Sequence, residues 1–454
     1  MKRYNFRYIT VLILIVAISI SVMACTSSDS QGAQTDQNIT NTSSSSEGSQ
    51  TEQKDGSVKE LIFTSWANTG EIPVLSKAVD KYNEMQNEYR VVFQNAPGEG
   101  YEQKLITSLA AGTGPDVFYA GESTIAKLIA NGTVAELTDF MKSEKSYAKP
   151  EEFSEGLWGA AKTDDGKIYG ITVDCNPVLL YYSPKMFKEL NIKDPQEYFN
   201  EDRWTWDAFD ETLDKLVANG KKGFIMNGDP FWVYCFVYAN GGTVWDGDTY
   251  RFDDKAKEAF KYIVDRIKDG RFTYSASLPK GQGADASFIS GQVGYVTAGR
   301  WYTPTFHEAK IDFDYIPYPT KTGEKYAPVW IATAYMCVNK NSKHLEAAME
   351  FATFYCSKEG QSARLGGVGN AIPSISGIDD IVIKSGVPKH VEHIFKIRDV
   401  GIANGSPQMK DGRYPGFGEE LKAIFEETFV NNAPYEETIA KAEKKANEII
   451  ANFK

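Results

Sequence analysis

The sequence predicts an α/β protein of two lobes, and three observations carry that expectation. The first is length. At 454 residues the chain exceeds what one hydrophobic core ordinarily organises. The second is the alternation of strand-like and helix-like periodicity between Leu61 and Gly132, the pattern of a mostly parallel sheet with helices on its faces. The third is the stretch Ile168–Leu190, IYGITVDCNPVLLYYSPKMFKEL. In it a β-rich run, Ile168 to Val173, passes through Asp174, Cys175 and Asn176 at a proline into a second apolar run, Val178 to Tyr182. Two buried strands joined through polar residues read as a chain crossing between lobes, with Asp174 and Asn176 displayed at the crossing.

Composition narrows the function mainly by exclusion. A net charge of −12 argues against nucleic acid or an anionic membrane surface as the principal partner. Aromatic residues make up 13% of the chain, which serves a large core and also suits ligands with flat, amphipathic faces. The five cysteines, Cys25, Cys175, Cys235, Cys337 and Cys356, show no CxxC and no regular spacing, so no disulfide framework is expected.

The N-terminus reads as an address. Lys2, Arg3 and Arg7 precede an aliphatic run from Ile9 to Ile20, which is too short to span a bilayer but suits the core of a signal peptide. Val22-Met23-Ala24-Cys25 follows and resembles a bacterial lipobox, with methionine a less usual residue at its position. The resemblance implies cleavage before Cys25 and lipidation of that residue, so 1–24 is set aside as a signal peptide. Residues 25–57 are rich in Ser, Thr, Gln, Asn and Gly and read as a flexible tether.

In the first lobe, Leu61–Trp66, Tyr89–Gln94 and Asp116–Ala120 are expected strands. Ile72, Leu75, Val79, Tyr82 and Met85 recur at helical spacing, Leu105, Ile106 and Leu109 mark a second helix, and Ser123 is the expected cap of a third. Ligands of such sheets sit beyond the carboxyl ends of the strands, which points to Trp66, Asn68, Gly121, Glu122 and Ser123. Gly112-Thr113-Gly114-Pro115 is not a phosphate loop, because it precedes a strand and lacks the lysine.

After the crossing, Ser183-Pro184 and Thr205 are helix starts. Asp246-Gly247-Asp248 reads as a hairpin turn, since the twelfth position counted from Asp246 is Lys257 and not the glutamate of a calcium loop. His390 and His393 lack a third metal ligand and are read as a solvated helix face. Arg300 is read as half of a structural ion pair; were it to face the cleft, it would favour a ligand carboxylate. The final helices are expected over Glu419–Phe429 and Tyr435–Phe453.

The crossing stretch resembles the "YGIP…(D/E)…LYYN…LF" segment of family 1 extracellular solute-binding proteins, the sugar-binding subunits of bacterial ABC importers. Further segments resemble that family in the same order: Gly114-Pro115-Asp116-Val117, Asn240-Gly241-Gly242, Phe288–Tyr295 with Gly299-Arg300-Trp301, Lys343–Phe351, and Gly369–Pro373. The resemblance implies a two-lobe periplasmic-binding-protein-like (type II) fold with a multi-strand hinge. The lobes would comprise 58–174 with 331–373, and 175–330 with 374–454. It also implies capture of a mono- or oligosaccharide in the interlobe cleft and delivery to the permease subunits of an ABC transporter. The protein would be monomeric, with no cofactor, no metal and no catalytic residue.

Sugars present apolar C–H faces ringed by hydroxyls, so a site for them needs aromatic platforms together with carboxylates and amides. Trp66, Trp232, Trp301 and Trp330, with Glu122, Asp174 and Asn176, supply those types, and the resemblance adds Tyr414 near the cleft mouth. For each tryptophan taken singly, core packing is the alternative reading. The competing expectations are a cell-surface glycoside hydrolase or lyase, which would use a carboxylate pair, and a receptor for a non-sugar solute. Release from chromogenic glycosides separates the first; thermal-shift screening separates the second.

Overall fold

The computed structural model describes residues 58–96, 98, 100–279, 282–404 and 410–453. Residues 1–57, which hold the expected leader, the expected tether and Cys25, lie outside the described residues. Strand and helix alternate as the sequence predicts, and the strands gather into two five-stranded sheets. In the first, the order is Tyr89–Ala96, Lys59–Trp66, Val117–Ala120, Tyr335–Val338, Ile171–Thr172. Its first three strands run parallel, and Tyr335–Val338 returns antiparallel between Val117–Ala120 and Ile171–Thr172. The second sheet runs Phe272–Tyr274, Lys222–Met226, Val293–Ala298, Leu179–Tyr182, Asp314–Ile316, with its first three strands parallel and the last two joined antiparallel.

The inner strands of both sheets are buried on two faces, and for that reason they read as nearly continuous apolar runs, whereas the edge strand Tyr89–Ala96 is largely half-buried or exposed. Leu179 to Tyr182 and Val293 to Ala298 are buried throughout. Helices Ile72–Met85 and Leu345–Cys356 cover the first sheet, where Phe63 packs edge-on against Phe351 at 5.6 Å. In the second, Phe209 on the Trp206–Ala218 helix meets Tyr295 at 5.0 Å.

Local signals hold where chemistry is local. Ser183 accepts the Met186 N–H at 3.2 Å with Pro184 in the first helical turn, and Thr205 accepts the Ala208 N–H at 3.3 Å. Trp245–Asp246 and Thr249–Tyr250 pair antiparallel around Gly247, whose φ of 55° is the left-handed conformation a tight hairpin requires.

Three expectations need correction. Ser123 does not cap its helix. The chain leaves the Val117–Ala120 strand through an extended Gly121, whose carbonyl accepts from Thr124 and Ile125, so Ser123 falls inside the first turn. The histidines are not a solvated face. His393 is 1% exposed, with Nδ1 3.0 Å from the Tyr326 hydroxyl and Nε2 2.9 Å from Gln196 Oε1, and burial lowers its pKa to about 4. His390 Nδ1 lies 2.6 Å from Asp314. Arg300 is fully buried and donates from Nη1 to the Val387 carbonyl at 2.8 Å; among the described residues no carboxylate pairs with it.

Three passes of chain are stitched together between the sheets. Asn176–Pro177 pairs antiparallel with Ile331–Ala332, and Cys175 exchanges both backbone hydrogen bonds with Ile372, at 2.9 and 3.0 Å. The Thr333 hydroxyl donates to the Asp174 carbonyl at 2.7 Å. Backbone bonds of this density make the connection a stiff, multi-strand hinge.

Candidate functional site

A cavity of about 620 Å³ opens between the two sheets, beside the stitched strands. That volume falls within the roughly 300–1,000 Å³ of small-molecule sites. It is lined from the first sheet's side by Trp66, Glu122 and Ser123, at the crossing by Asp174 and Asn176, and opposite by Trp301 and Trp330. Seven of the ten ligand-contact residues expected from the sequence therefore meet on one cavity.

The other three stand just behind it. Trp232 is 5% exposed, 5.3 Å edge-on to Trp330 and 6.4 Å from Trp301, so it supports the wall rather than forming it. Tyr414 packs on Trp245, Phe417 and Phe453, and the cavity is lined instead by Asp411 and Gly412 of the preceding turn. Asn68 bridges the two halves. Its Oδ1 accepts from the Glu71 N–H at 3.0 Å and the Thr305 hydroxyl at 3.1 Å, and its Nδ2 donates to the Trp301 carbonyl at 3.2 Å. Asn68→Ala is expected to open this clasp and speed ligand release several-fold with little change in unfolding midpoint. Stopped-flow dissociation checks it, and an unaltered rate would mean that Asn68 does not couple the halves.

The aromatic wall is built from the second sheet's side. Phe231, at the start of the Pro230–Ala239 helix, stacks on Trp330 at 3.7 Å between centroids. Trp301 is aimed by its neighbours. Asn176 Oδ1 accepts the Arg300 N–H at 2.9 Å, and the indole folds back over Gly299, where a Cβ would lie 2.4 Å from the ring. Only glycine permits that approach.

Asp174 is not free at the crossing. Its Oδ2 accepts from Arg364 Nη1 at 3.0 Å, and Arg364 also donates to the Val173 carbonyl. Burial pushes the Asp174 carboxyl upward, and the guanidinium opposes that rise. Three further carboxyls carry no such cation. Burial raises Glu71 from 4.5 to about 7, Glu122 from 4.5 to about 8 and Asp411 from 3.8 to about 7. Glu71, Asp411, Phe231 and Asn370 were not singled out from the sequence, although Phe231 lies in the aromatic run before Asn240 and Asn370 lies inside the Gly369–Pro373 segment.

The pH dependence follows from the direction of these shifts. A carboxyl raised in the fold holds a proton that the unfolded chain has already released, so its stabilisation is present below the unfolded pKa and lost as pH rises through the folded one. The ligand-free protein is therefore expected to melt at falling temperature between about pH 4 and pH 8. Glu122→Gln should flatten the upper part of that fall, as read by calorimetry. An equally steep decline in the variant would show that Glu122 does not titrate in this window.

Residues 66–362 match the model of the bacterial extracellular solute-binding protein family. Among curated proteins the chain is similar to the maltodextrin-binding protein MdxE of Bacillus subtilis, 27% identical over 53% of this chain and 57% of that protein. It is also similar to the maltotriose-binding protein of Pyrococcus abyssi, 22% identical over 83% of each. Among solved structures it resembles an ABC substrate-binding protein of Listeria monocytogenes in complex with cycloalternan. The TM-score is 0.74 at 21% identity, over 87% of this chain and 100% of that one.

Proposed function

Because the chain belongs to the bacterial extracellular solute-binding protein family and has its two-lobe α/β fold, we propose that it captures a saccharide between its lobes and delivers it to an ABC permease. The observation that carries this reading is the composition of the cavity wall. Trp66, Phe231, Trp301 and Trp330 offer apolar faces, while Glu71, Glu122, Asn176 and Asn370 offer polar groups between them. That combination matches a pyranose, whose C–H faces stack and whose rim of hydroxyls needs hydrogen-bond partners. The named sugar ligands of the similar proteins support the class. Lobes of 58–174 with 331–373 and 175–330 with 374–454 would close over the ligand through contacts that exist only when shut.

Isothermal titration against mono- and oligosaccharides tests the proposal. One-to-one binding is expected, and failure of every saccharide to bind would overturn it. The similar proteins are named as binding proteins, and we extend that role to this chain: chromogenic glycosides should release nothing on incubation.

The proposal includes anchoring by lipid at Cys25, with 25–57 as a tether and the monomer as the working form. Lipid chains contribute ~0.8 kcal/mol per buried CH₂, enough when several are attached to hold a protein at the surface. Cys25→Ala is expected to release the protein from the membrane fraction or to block its processing. A variant that fractionates and matures like the parent would remove the anchor from the reading.

A further inference from the structure

The charge of the cavity is one-sided. Seven acidic side chains line it, and among the described lining residues there is no lysine, arginine or histidine. Some of that charge is answered from outside the wall. Arg364 pairs with Asp174 at 3.0 Å, Lys127 with Glu419 at 3.0 Å and Lys422 with Asp229 at 3.3 Å. The Glu102 carboxyl feels the charge of Lys127. Glu71, Glu122 and Asp411 have no cation within ion-pair reach among the described residues.

The hydrogen-bonding capacity is one-sided too. Asn370 is only 6% exposed, and its Oδ1 is buried with no partner; Glu122 Oε1 is in the same condition. Both are acceptors. The neighbouring donors are already committed: Asn370 Nδ2 to Glu71 at 2.8 Å, Trp330 Nε1 to Glu122 at 3.3 Å, and Asn176 Nδ2 to Asp174 at 3.4 Å. The two orphaned positions are therefore acceptors, and no cation lines the cavity among the described residues.

A hydroxyl supplies one donor but brings two lone pairs that need donors in turn. An ammonium supplies three donors, no acceptor and a full charge. Aromatic faces add to the preference, since a cation beside an indole or phenyl ring is attracted by the ring quadrupole.

We infer that the ligand is a saccharide bearing a free primary amine, with its ammonium nitrogen seated at the wall formed by Glu122 and Asp411. Gly412, next to Asp411, lies against Glu122, where a Cβ would stand 3.5 Å from the Glu122 carbonyl oxygen, so the two carboxyls belong to one wall. Glu71 and Asn370 form a second acceptor pair further along, which suits a hydroxyl or a second amine. This inference deepens the saccharide reading and rests on it. The raised pKa values of Glu122 and Asp411 fit an empty site whose acids await a cation, because each is elevated first by burial and no cation opposes the rise.

The test is calorimetric titration of the full mature chain at about pH 7, where the sugar amines are mostly protonated, with three matched series. These are glucosamine and galactosamine with their oligomers, the N-acetylated counterparts, and the neutral hydroxyl counterparts; spermidine serves as a non-saccharide cation. A free-amine member is expected to bind about tenfold more tightly than both of its counterparts, the scale of one charge-assisted hydrogen bond gained over neutral ones. The preference should shrink with added salt and vanish in Glu122→Gln. Neutral or acetylated members binding as tightly as the amine would overturn this inference while leaving the saccharide reading intact. Spermidine binding alone, or no binding in any series, would overturn both.

Discussion

Arg364→Leu is expected to destabilise the fold by about 3–5 kcal/mol, because it strands a buried carboxylate without its cation. Arg364 is fully buried on the Lys358–Leu365 helix, pairs with Asp174 at 3.0 Å and lies over the Tyr355 ring at 5.0 Å. Asp174 is 6% exposed and sits where the chain passes from one sheet to the other. Losing the guanidinium removes two hydrogen bonds, one to Asp174 and one to the Val173 carbonyl, and leaves both acceptors in an apolar surround. The double variant Arg364→Leu with Asp174→Leu should recover much of the loss, since an apolar pair of similar volume can replace a buried ion pair. Urea denaturation checks both. A single variant with an unmoved midpoint would show that the pair contributes nothing to stability.

Trp301→Ala is expected to weaken binding of the cognate saccharide by about 1–3 kcal/mol, or roughly 5–150-fold in Kd, the scale of burying a large aromatic side chain. The indole is aimed before ligand arrives, by the Asn176 side chain and the absence of a side chain on Gly299. Little of its stacking energy is then spent on ordering. Because Trp301 is only half-buried, the unfolding midpoint of the ligand-free protein should change little. Trp301→Phe should restore part of the affinity. Wild-type affinity in the alanine variant would remove Trp301 from the site.

Much of the site was legible because its residues stand where local rules place them. Trp66 ends a strand, and Glu122 and Ser123 follow the next one but one at the carboxyl edge of a parallel sheet. Asp174 and Asn176 interrupt an apolar run where polar side chains are conspicuous. Asn68, expected by the same logic, stands outside the cavity lining. A polar residue just past a strand end can touch ligand or bridge lobes, and only the position of Thr305 and the Trp301 carbonyl decides between them.

The sequence by itself determined the α/β alternation, the second-sheet caps at Ser183 and Thr205, the hairpin at Gly247 and the place of the crossing. Each depends on neighbours within a few residues, where backbone sterics and periodicity act. The tertiary structure alone decided that Arg364 neutralises Asp174, 190 residues away in the chain, and that Trp232 is a support and Trp330 a wall. It alone decided that Glu71, Glu122, Asp411 and Asn370 face one cavity, with Glu122 Oε1 and Asn370 Oδ1 left without a donor. Nothing in a carboxylate's local sequence distinguishes a solvated one from one facing a cleft. Burial and the distance to the nearest cation make that difference, and both are set by how the two sheets stand across the hinge.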